Sequence, residues 1–543
     1  MKKNILIAIS AFMTFIGVYA QKDTTLTRTV VVENEYNPEI MDASKINLLP
    51  KVNEQAVNKR NIDYINSVSP FTAWDFIPLP PNVLLKENLY AGRGYVNAGY
   101  GNYGNAVLSA GYRFNLGEKD MLNIKTGIEG KNGTFNSWDN KDWSGRFYNT
   151  SAAVDYSHQF RNLLFKVGGD YTSQVYNYMN SPATDKQHNS MADIHFGIAS
   201  SGENLPLYFS AQIGYSYFDQ KYSLDGFEQG RQSDFYINGD IYGKLNEYQR
   251  VGIKFDMDNI SYSSDNFKSY TSLCMNPYFS LNNDDWNIRI GAHVDWQSGN
   301  GGGIDFSPDI KAEYLFSDSY VLYINGEGGR VLNDFNRLNS LSPYFIMRNQ
   351  LKSTYVPLDA RLGFKASPVN GLWFNAFAGY RMVDDELSYG FPLSEIYYTS
   401  FLQDKAKCGY IGGEIKYDYK DKFNITFNAT SYSWKSDYDK EDLFLAAKPK
   451  LSINIAAEAE IIDNLRLNAG YEYMKRGKIK LADNYIRTDL GTVSNLYLGA
   501  NYELFKNITV FVNVNNLFNK QYYNDNGYPV EKLNFIGGMK FIF

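Results

Sequence analysis

Few side chains in this sequence have the type and spacing that catalysis or metal binding requires. Four histidines occur in 543 residues, and their spacing matches no motif that places two ligands on one zinc ion. The chain contains no nucleophile elbow, phosphate-binding loop, HExxH motif or calcium-binding loop. The histidines are His158, His188, His195 and His293. The sequence therefore predicts no catalytic residue, no metal site and no cofactor, and it argues against an enzyme.

Two further groups of residues have chemical potential, but each has a simpler interpretation. Acidic side chains at 437–442 could bind a divalent cation weakly, although we interpret them as the solvated charges of a loop: Asp437, Asp439, Glu441 and Asp442. Cys274 and Cys408 are the only cysteines, which excludes a disulfide framework, and they form no CxxC zinc motif. The function of the chain must therefore be sought in its architecture.

The composition is unusual for a soluble protein, because it is rich in aromatic residues and polar at once. Aromatic residues make up 16% of the chain, with 45 Tyr and 35 Phe, yet the mean hydropathy is −0.40. This combination is typical of strands with one apolar face and one wet face. The net charge of −6 and the lack of a long basic run argue against nucleic acid as a partner.

Residues 1–20 have the features of a secretory signal peptide. Lys2 and Lys3 precede an apolar run at 5–18, and small residues close the segment at Ala20. A membrane anchor is the alternative, but the apolar run is shorter than the ~20 residues that a helical span needs. An exported, strand-rich chain without such a span predicts a closed barrel in the outer membrane of a Gram-negative cell.

From about residue 91 to residue 543 the sequence alternates between apolar and polar residues in runs separated by turns. Ten polar turns are short, at 115–120, 160–162, 202–205, 245–250, 282–285, 317–319, 369–371, 421–422, 463–464 and 505–507. The other connections are mostly longer, for example 132–146, 177–189, 333–355, 384–404, 435–450, 476–487 and 519–530. This alternation predicts an all-β, transmembrane antiparallel β-barrel of about 22 strands, each of roughly 10–14 residues. A soluble β-sandwich would not need short turns at one end only.

The last two strands show what each face of the barrel contacts. We expect the apolar parity, with Val510, Val512, Phe541 and Phe543, to face outer-membrane lipid, and the polar parity, with Asn513, Asn515 and Lys540, to face the lumen. Aromatic residues near strand ends predict interface girdles. Cys274 and Cys408 fall on the lumenal parity of the tenth and sixteenth strands, too far apart for a disulfide.

Residues 21–90 differ from the barrel, because they are rich in proline and lack sustained alternation. Six of the 16 prolines lie here: Pro38, Pro50, Pro70, Pro78, Pro80 and Pro81. Proline cannot donate to a strand ladder, so the segment is predicted to be irregular. We expect this segment to lie in the periplasm or to fold up into the barrel.

The C-terminal residues resemble the end of a TonB-dependent receptor of the kind found in Bacteroidota. The matching motif consists of Asn516, Leu517, Phe518, Asn519, Lys520 and Tyr522, followed by a glycine-containing last strand that ends in Phe543. The resemblance implies a 22-strand barrel and transport of a solute across the outer membrane. Phe541 and Phe543 match the terminal signal that the barrel-assembly machinery reads in such proteins.

The N-terminal segment departs from this family, whose plug domain exceeds 100 residues. The run Thr29, Val30, Val31 and Val32 resembles a TonB box, although an ordinary β-prone segment fits it as well. A barrel this wide needs something in its lumen: residues 21–90, inward-folded loops such as 333–355 and 384–404, or a partner protein. Two hypotheses follow. One is a receptor-like transporter, and the alternative is an accessory or structural subunit whose 21–90 segment recruits a periplasmic or outer-membrane partner.

Overall fold

The computed structural model describes residues 92–543 apart from 138–140, 181–185, 203–204, 224–228, 317–318, 348, 391–396, 421 and 478–489. The signal peptide, the 21–90 segment and the TonB-box-like residues 29–32 lie outside the described residues. The described chain forms one sheet of 22 antiparallel strands, which confirms the predicted fold class and strand number.

The strands are β1 (Gly94–Gly101), β2 (Ala106–Asn115), β3 (Asp120–Asn136), β4 (Asp142–Gln159), β5 (Leu163–Tyr176), β6 (Gln187–Ser200), β7 (Tyr208–Gln220), β8 (Arg231–Lys244), β9 (Gln249–Tyr262), β10 (Tyr270–Asn282), β11 (Trp286–Ser298), β12 (Ile304–Phe316), β13 (Tyr320–Val331), β14 (Thr354–Val369), β15 (Leu372–Gly390), β16 (Ser400–Tyr419), β17 (Phe423–Ser436), β18 (Pro449–Ile462), β19 (Leu465–Arg476), β20 (Val493–Phe505), β21 (Ile508–Asn515) and β22 (Asn534–Ile542). Two short helices lie in the connections, α1 (Phe335–Leu341) and α2 (Glu441–Phe444), and a 3-10 turn spans Asn102–Gly104. No helix among the described residues is long and apolar enough to cross a membrane.

The barrel closes because the first strand pairs with the last. The register of β1 with β22 runs from Tyr95 opposite Ile542 to Gly101 opposite Ile536. Beyond the ladder, the Gly94 amide donates to the Phe543 carbonyl at 2.8 Å. Every other strand pairs with its neighbours in sequence, so the described sheet has no free edge. Its backbone groups are therefore satisfied without water, as a lipid environment requires.

All ten predicted short turns lie between strands that the structure pairs as hairpins, which places them together at one end of the barrel. We call this the turn end and the opposite end the mouth. Two predicted loops are wrong in extent. A loop was predicted at 132–146, but β3 continues to Asn136 and β4 begins at Asp142. A second loop was predicted at 384–404, but β15 continues to Gly390.

Five strands, β3, β4, β14, β15 and β16, exceed the predicted length because antiparallel pairing continues beyond the part that lipid would cover. The longest, β16, has 20 residues. Asn132 and Gly133 suggested a turn, but they pair with Arg146 and Gly145. Each added pair contributes ladder hydrogen bonds without needing an apolar face, so turn-type residues alone did not mark the strand end.

The two faces of the closing strands are as predicted. Val512 is 43% exposed on the outside, and Phe541 and Phe543 lie on the same face, whereas Asn513 is 2% exposed on the inside. Other tyrosines face the lumen, and sequence reasoning missed them. Each lies over a glycine of the adjacent strand, so that a Cβ atom there would come within 2.2 Å of the ring: Tyr236 over Gly214, Tyr323 over Gly363, Tyr410 over Gly379 and Tyr497 over Gly470. Rings of this kind shield glycine backbone inside the barrel.

Candidate functional site

Aromatic residues from the long connections meet at the mouth and form what we call the cap. All of them are less than 9% exposed, and they come from five connections and the adjoining strand ends. Its members are Phe135, Trp143, Phe147, Tyr176, Tyr178, Met179, Tyr344, Ile346, Tyr397, Tyr398 and Tyr528. Burial raises the pKa of Tyr178 to about 12, which favours the neutral hydroxyl still further. The cap thus joins loops that are up to 393 positions apart in sequence, from Phe135 to Tyr528.

Tyr528, in the connection between β21 and β22, lies at the centre of the cap. Its ring stacks on Tyr344 with 3.7 Å between ring centroids and meets Trp143 and Tyr397 edge-on at 5.5 Å. Its hydroxyl donates to the Tyr397 carbonyl at 2.6 Å and accepts from the Met179 amide at 3.3 Å. One side chain therefore contacts residues from four other connections or strand ends.

Backbone pairing also holds the cap loops together. The Tyr397 amide donates to the Met179 carbonyl at 3.0 Å in an isolated antiparallel bridge, and Phe345 pairs with Thr399 in a parallel one. Side chains add to this pairing, since the Asn526 amide group donates to Ser342 at 3.1 Å. The connections therefore hold one another across the mouth.

Helix α1 fixes the β13–β14 connection against the inner wall of the barrel. Asp334 caps the helix by accepting from the Arg337 amide at 2.9 Å, and Gln232 of β8 donates to it at 2.6 Å. Phe335 packs against Phe218 of β7, which is fully buried. Burial raises the pKa of the Asp334 carboxyl. This inward-folded helix lies within the loop 333–355, one of those predicted to fill the lumen.

The family-like motif folds the last connection. Asn516 adopts a φ of 50°, and its side chain donates to the carbonyls of Lys520 and Glu531. Tyr522 packs in a small buried cluster with Met474, whereas Phe518 is 50% exposed. The motif residues therefore shape a loop that carries Tyr528 to the cap, and the structure does not bring them together with Phe541 and Phe543 near the turn end.

A buried ion pair ties this same connection to β19. Arg476 donates to Asp525 at 2.8 Å, and both side chains are less than a tenth exposed. The guanidinium also donates to the carbonyls of Leu490 and Tyr523. Burial raises the pKa of the Asp525 carboxyl, while Arg476 acts in the opposite direction. The pair joins two connections that are separated in sequence.

Below the cap, charged residues line the lumen wall and pair with one another. Ion pairs include Arg289 with Asp309 at 2.7 Å and Lys311 with Glu327 at 2.8 Å. A cavity of about 290 Å³ lies where cap residues such as Tyr344 meet wall residues of β3 to β6. It is lined by aromatic rings and by amide groups, a composition typical of small-molecule sites.

A second cavity, of about 320 Å³, lies against β9 to β14 and is lined by several carboxylates. Cys274 of β10 lines it, whereas Cys408 is buried on β16, and both cysteines are free, as predicted. Sequence reasoning missed both cavities because their walls come from strands far apart in the chain.

One group of potential metal ligands was also missed. The histidine spacing suggested no site, but Asp170, Asp193 and His195 present ligand atoms within 4.8 Å of one another. The sequence did carry a signal for this group, because Asp193 and His195 are two positions apart and therefore lie on the same face of a strand. Among the described residues, the acidic group at 437–442 forms no such cluster.

No protein-family model and no curated protein matches the chain. Solved structures do match it over most of its length. The ferric enterobactin receptor of Pseudomonas aeruginosa, in complex with enterobactin, has a TM-score of 0.66 at 12% identity, covering 83% of this chain and 81% of the receptor. The chain has the barrel fold of the TonB-dependent outer-membrane receptors.

Two further structures are similar to a comparable degree. The ferric-catecholate import receptor Fiu of E. coli K12 matches with a TM-score of 0.61 at 11% identity, and the copper transporter OprC with 0.61 at 12%. In both cases the match covers 83% of this chain and 82% of the other. With its apolar outer face and closed ladder, the protein is an outer-membrane β-barrel with a receptor-like fold.

Proposed function

We propose that this barrel carries a solute across the outer membrane and that the cap is the gate at its mouth. The observation that carries the proposal is the cap itself: residues of five connections and the adjoining strand ends pack together at the mouth of a lumen whose wall is charged and polar. A 22-strand barrel is wide enough to pass large solutes and has to be obstructed between transport events.

The contacts that close the cap are of a kind that opens reversibly. Ring stacking, single hydrogen bonds and two isolated backbone bridges join the loops, and among the described residues no disulfide crosses the mouth. Interactions of this kind each contribute about 0.5–1.5 kcal/mol, so the binding of a solute can supply enough free energy to rearrange several of them. The cavity beside the cap offers a first contact for such a solute.

A disulfide that locks the cap tests whether transport needs the mouth to open. Met179 and Tyr397 form an antiparallel bridge, a geometry that brings Cα atoms to about 4.5–5.5 Å and therefore suits a disulfide. In the double variant M179C/Y397C, oxidation should abolish solute uptake and a reductant should restore it. The single variant M179C is the control. Ferric enterobactin and Cu²⁺, which the structural neighbours bind or transport by their names, are the first solutes to try.

We further propose that residues 29–32 engage TonB. The support is their resemblance to a TonB box together with the receptor-like fold of the barrel. Deleting residues 21–35 should then abolish energised uptake while leaving the amount of folded barrel unchanged. Uptake at the wild-type rate would contradict this role.

An accessory or structural role is the second candidate, and the mutual burial of the cap residues favours it, because a permanently sealed barrel can serve as a platform. In that case the oxidised M179C/Y397C variant should retain full function in cells. Affinity purification of the full-length protein from cross-linked outer membranes should also recover a stoichiometric partner, and deletion of residues 21–90 should remove that partner.

A further inference from the structure

A mixed set of nitrogen and oxygen ligands lies on the lumenal face of β5 and β6, away from the cap. Asp193 and His195 are two positions apart on β6 and so point to the same side of the strand. Ile194 and Phe196 occupy the alternate positions and are exposed on the outside of the barrel. Asp170 of β5 stands directly opposite Asp193 in the ladder. Strand register, rather than loop conformation, therefore brings the three side chains together.

The distances are close to those of a metal coordination shell. One ligand atom of each residue lies within 4.8 Å of the other two. Metal–nitrogen and metal–oxygen bonds of about 2.0–2.2 Å place ligands on opposite sides of an ion roughly 4.0–4.4 Å apart. Small rotations of the side chains are enough to reach that spacing.

The imidazole is already oriented as it is in many metal sites. Nδ1 of His195 lies 2.8 Å from Oδ1 of Asp193, and the Tyr236 hydroxyl donates to the same carboxylate at 2.9 Å. A carboxylate that accepts from Nδ1 fixes the tautomer whose Nε2 lone pair is free for a metal. None of the described residues forms a hydrogen bond with Nε2.

The imidazole of His195 packs directly over Gly168 of β5. A Cβ atom on Gly168 would lie 2.2 Å from Nε2 of His195 and 2.9 Å from Oδ1 of Asp155. The imidazole therefore fills the place that a side chain at residue 168 would take, and the carboxylate of Asp155 lies beside it. At other lumenal glycines of this barrel a tyrosine ring occupies the equivalent place.

The charge balance also favours a cation. Asp155 of β4 lies opposite Gly168 in the ladder, and Asp170 lies opposite Asp193, so the three carboxylates are on neighbouring strands. No ion pair joins Lys125 to any of the three within the part of the chain that the structure describes. Three carboxylates and one imidazole thus lie on neighbouring strands, and among the described residues no lysine or arginine forms an ion pair with those carboxylates.

We propose that His195 and Asp170 bind a divalent transition-metal ion on the lumen wall, with Asp193 orienting the imidazole. Imidazole together with carboxylate suits zinc, copper or nickel, whereas calcium and magnesium prefer sites made of oxygen alone. Nε2 of His195 and the Asp170 carboxylate bind the ion, and Asp155 lies within reach as a further ligand. The site stands on its own geometry and does not depend on the proposed transport.

The test uses the purified full-length protein in detergent, with Cu²⁺ and Zn²⁺ as probes. We expect one Zn²⁺ per chain by calorimetry, and a Cu²⁺ electron paramagnetic resonance spectrum split by one imidazole nitrogen. H195A should lose the nitrogen splitting and bind Zn²⁺ at least tenfold more weakly. H158A is the matched control, because His158 also forms a hydrogen bond with an aspartate, Asp120, at 2.7 Å. This variant should change neither the nitrogen splitting nor the affinity for Zn²⁺.

Glycine variants test the site without removing any ligand. G168A places a methyl group where the imidazole nitrogen now lies, and it should weaken Zn²⁺ binding at least tenfold. Its control is G197A, because a Cβ at Gly197 would meet no atom closer than 3.6 Å. Folding of each variant is checked by heat-modifiable migration in gels. No saturable binding to the wild type, or wild-type binding by both H195A and G168A, would overturn the proposal.

Discussion

Replacing Tyr528 by alanine is predicted to open the mouth of the barrel. The ring is 2% exposed, stacks on Tyr344 and meets two further aromatic rings edge-on. Its hydroxyl forms two hydrogen bonds to other connections. Tyr176 has as many ring and hydrogen-bond contacts, but both of its hydrogen bonds go to one residue, Asn189. Because Tyr528 joins residues from four other connections or strand ends, its loss should weaken closure strongly.

The magnitude follows from these contacts. Truncating a buried aromatic residue to alanine costs about 3–5 kcal/mol, and the lost hydrogen bonds contribute about 1 kcal/mol each to such a change. Since about 1.4 kcal/mol corresponds to a factor of ten in an equilibrium constant, the ratio of open to closed mouth should rise by about 100-fold or more. Y528F keeps the ring and loses the two hydrogen bonds of the hydroxyl, about 2 kcal/mol in all, so it should shift the ratio by about 30-fold.

A native cysteine reports on opening. Cys274 lines the lumenal cavity on β10, and Cys408 can be replaced by alanine to leave Cys274 as the single thiol. Intact cells are treated with a maleimide that carries a polymer too large to pass through general porins. The rate at which Cys274 is labelled is measured from the increase in the mass of the protein. Because the polymer enters through the mouth, the rate should follow the open fraction.

Phe518 provides the matched control for this experiment. It lies in the same connection as Tyr528 but is half exposed and outside the cap. F518A should label at the wild-type rate. If Y528A labels no faster than F518A while both variants are folded, the cap does not close the mouth, and the reasoning from its packing is refuted.

Three further predictions concern residues outside the cap rings. R476M should lower the free energy of unfolding of the loops by about 3–5 kcal/mol, because it leaves the Asp525 carboxylate buried without its partner. The control K352M removes an exposed ion pair and should change the free energy of unfolding, measured by thermal unfolding, by less than about 1 kcal/mol. Burial raises the pKa of Asp334, so the closed mouth holds this proton more tightly than the open one. Closure should be strongest below the ordinary aspartate pKa and weaken as the pH rises through the raised value, and the ratio of wild-type to D334N labelling rates measures this trend. Deleting Phe543, which stacks on Phe541 and follows the strand that closes the barrel, should lower the heat-modifiable fraction in the outer membrane; an unchanged fraction would argue against a role in assembly.

The barrel and its strand number could be predicted from the sequence because both depend on local patterns. The faces of β21 and β22 follow from the alternation of side chains along an extended strand, and the short turns follow from residues such as Asn464, which adopts a φ of 72°. The motif that begins at Asn516 identified the type of barrel. These features need no knowledge of which distant residues meet.

The ends of strands and the long connections were predicted less well. Asn132 and Gly133 have turn-type side chains but lie inside a ladder, because pairing with β4 gives their backbone groups partners. Pairing of this kind depends on the neighbouring strand. The local sequence therefore predicted the short turns correctly. It misplaced the ends of those strands that continue beyond the predicted length of roughly 10–14 residues.

The sequence by itself determined that this protein is a closed barrel with an apolar outer face, a charged lumen and long connections at one end. Only the tertiary structure decided that Tyr344, Tyr397 and Tyr528 meet in the cap, and that Asp170 meets His195 on the wall. The physical reason is that alternation and turn propensity act between residues close in sequence, whereas the cap and the ligand cluster depend on barrel closure and strand register. Closure brings residue 528 near residue 143, and no local pattern encodes that distance.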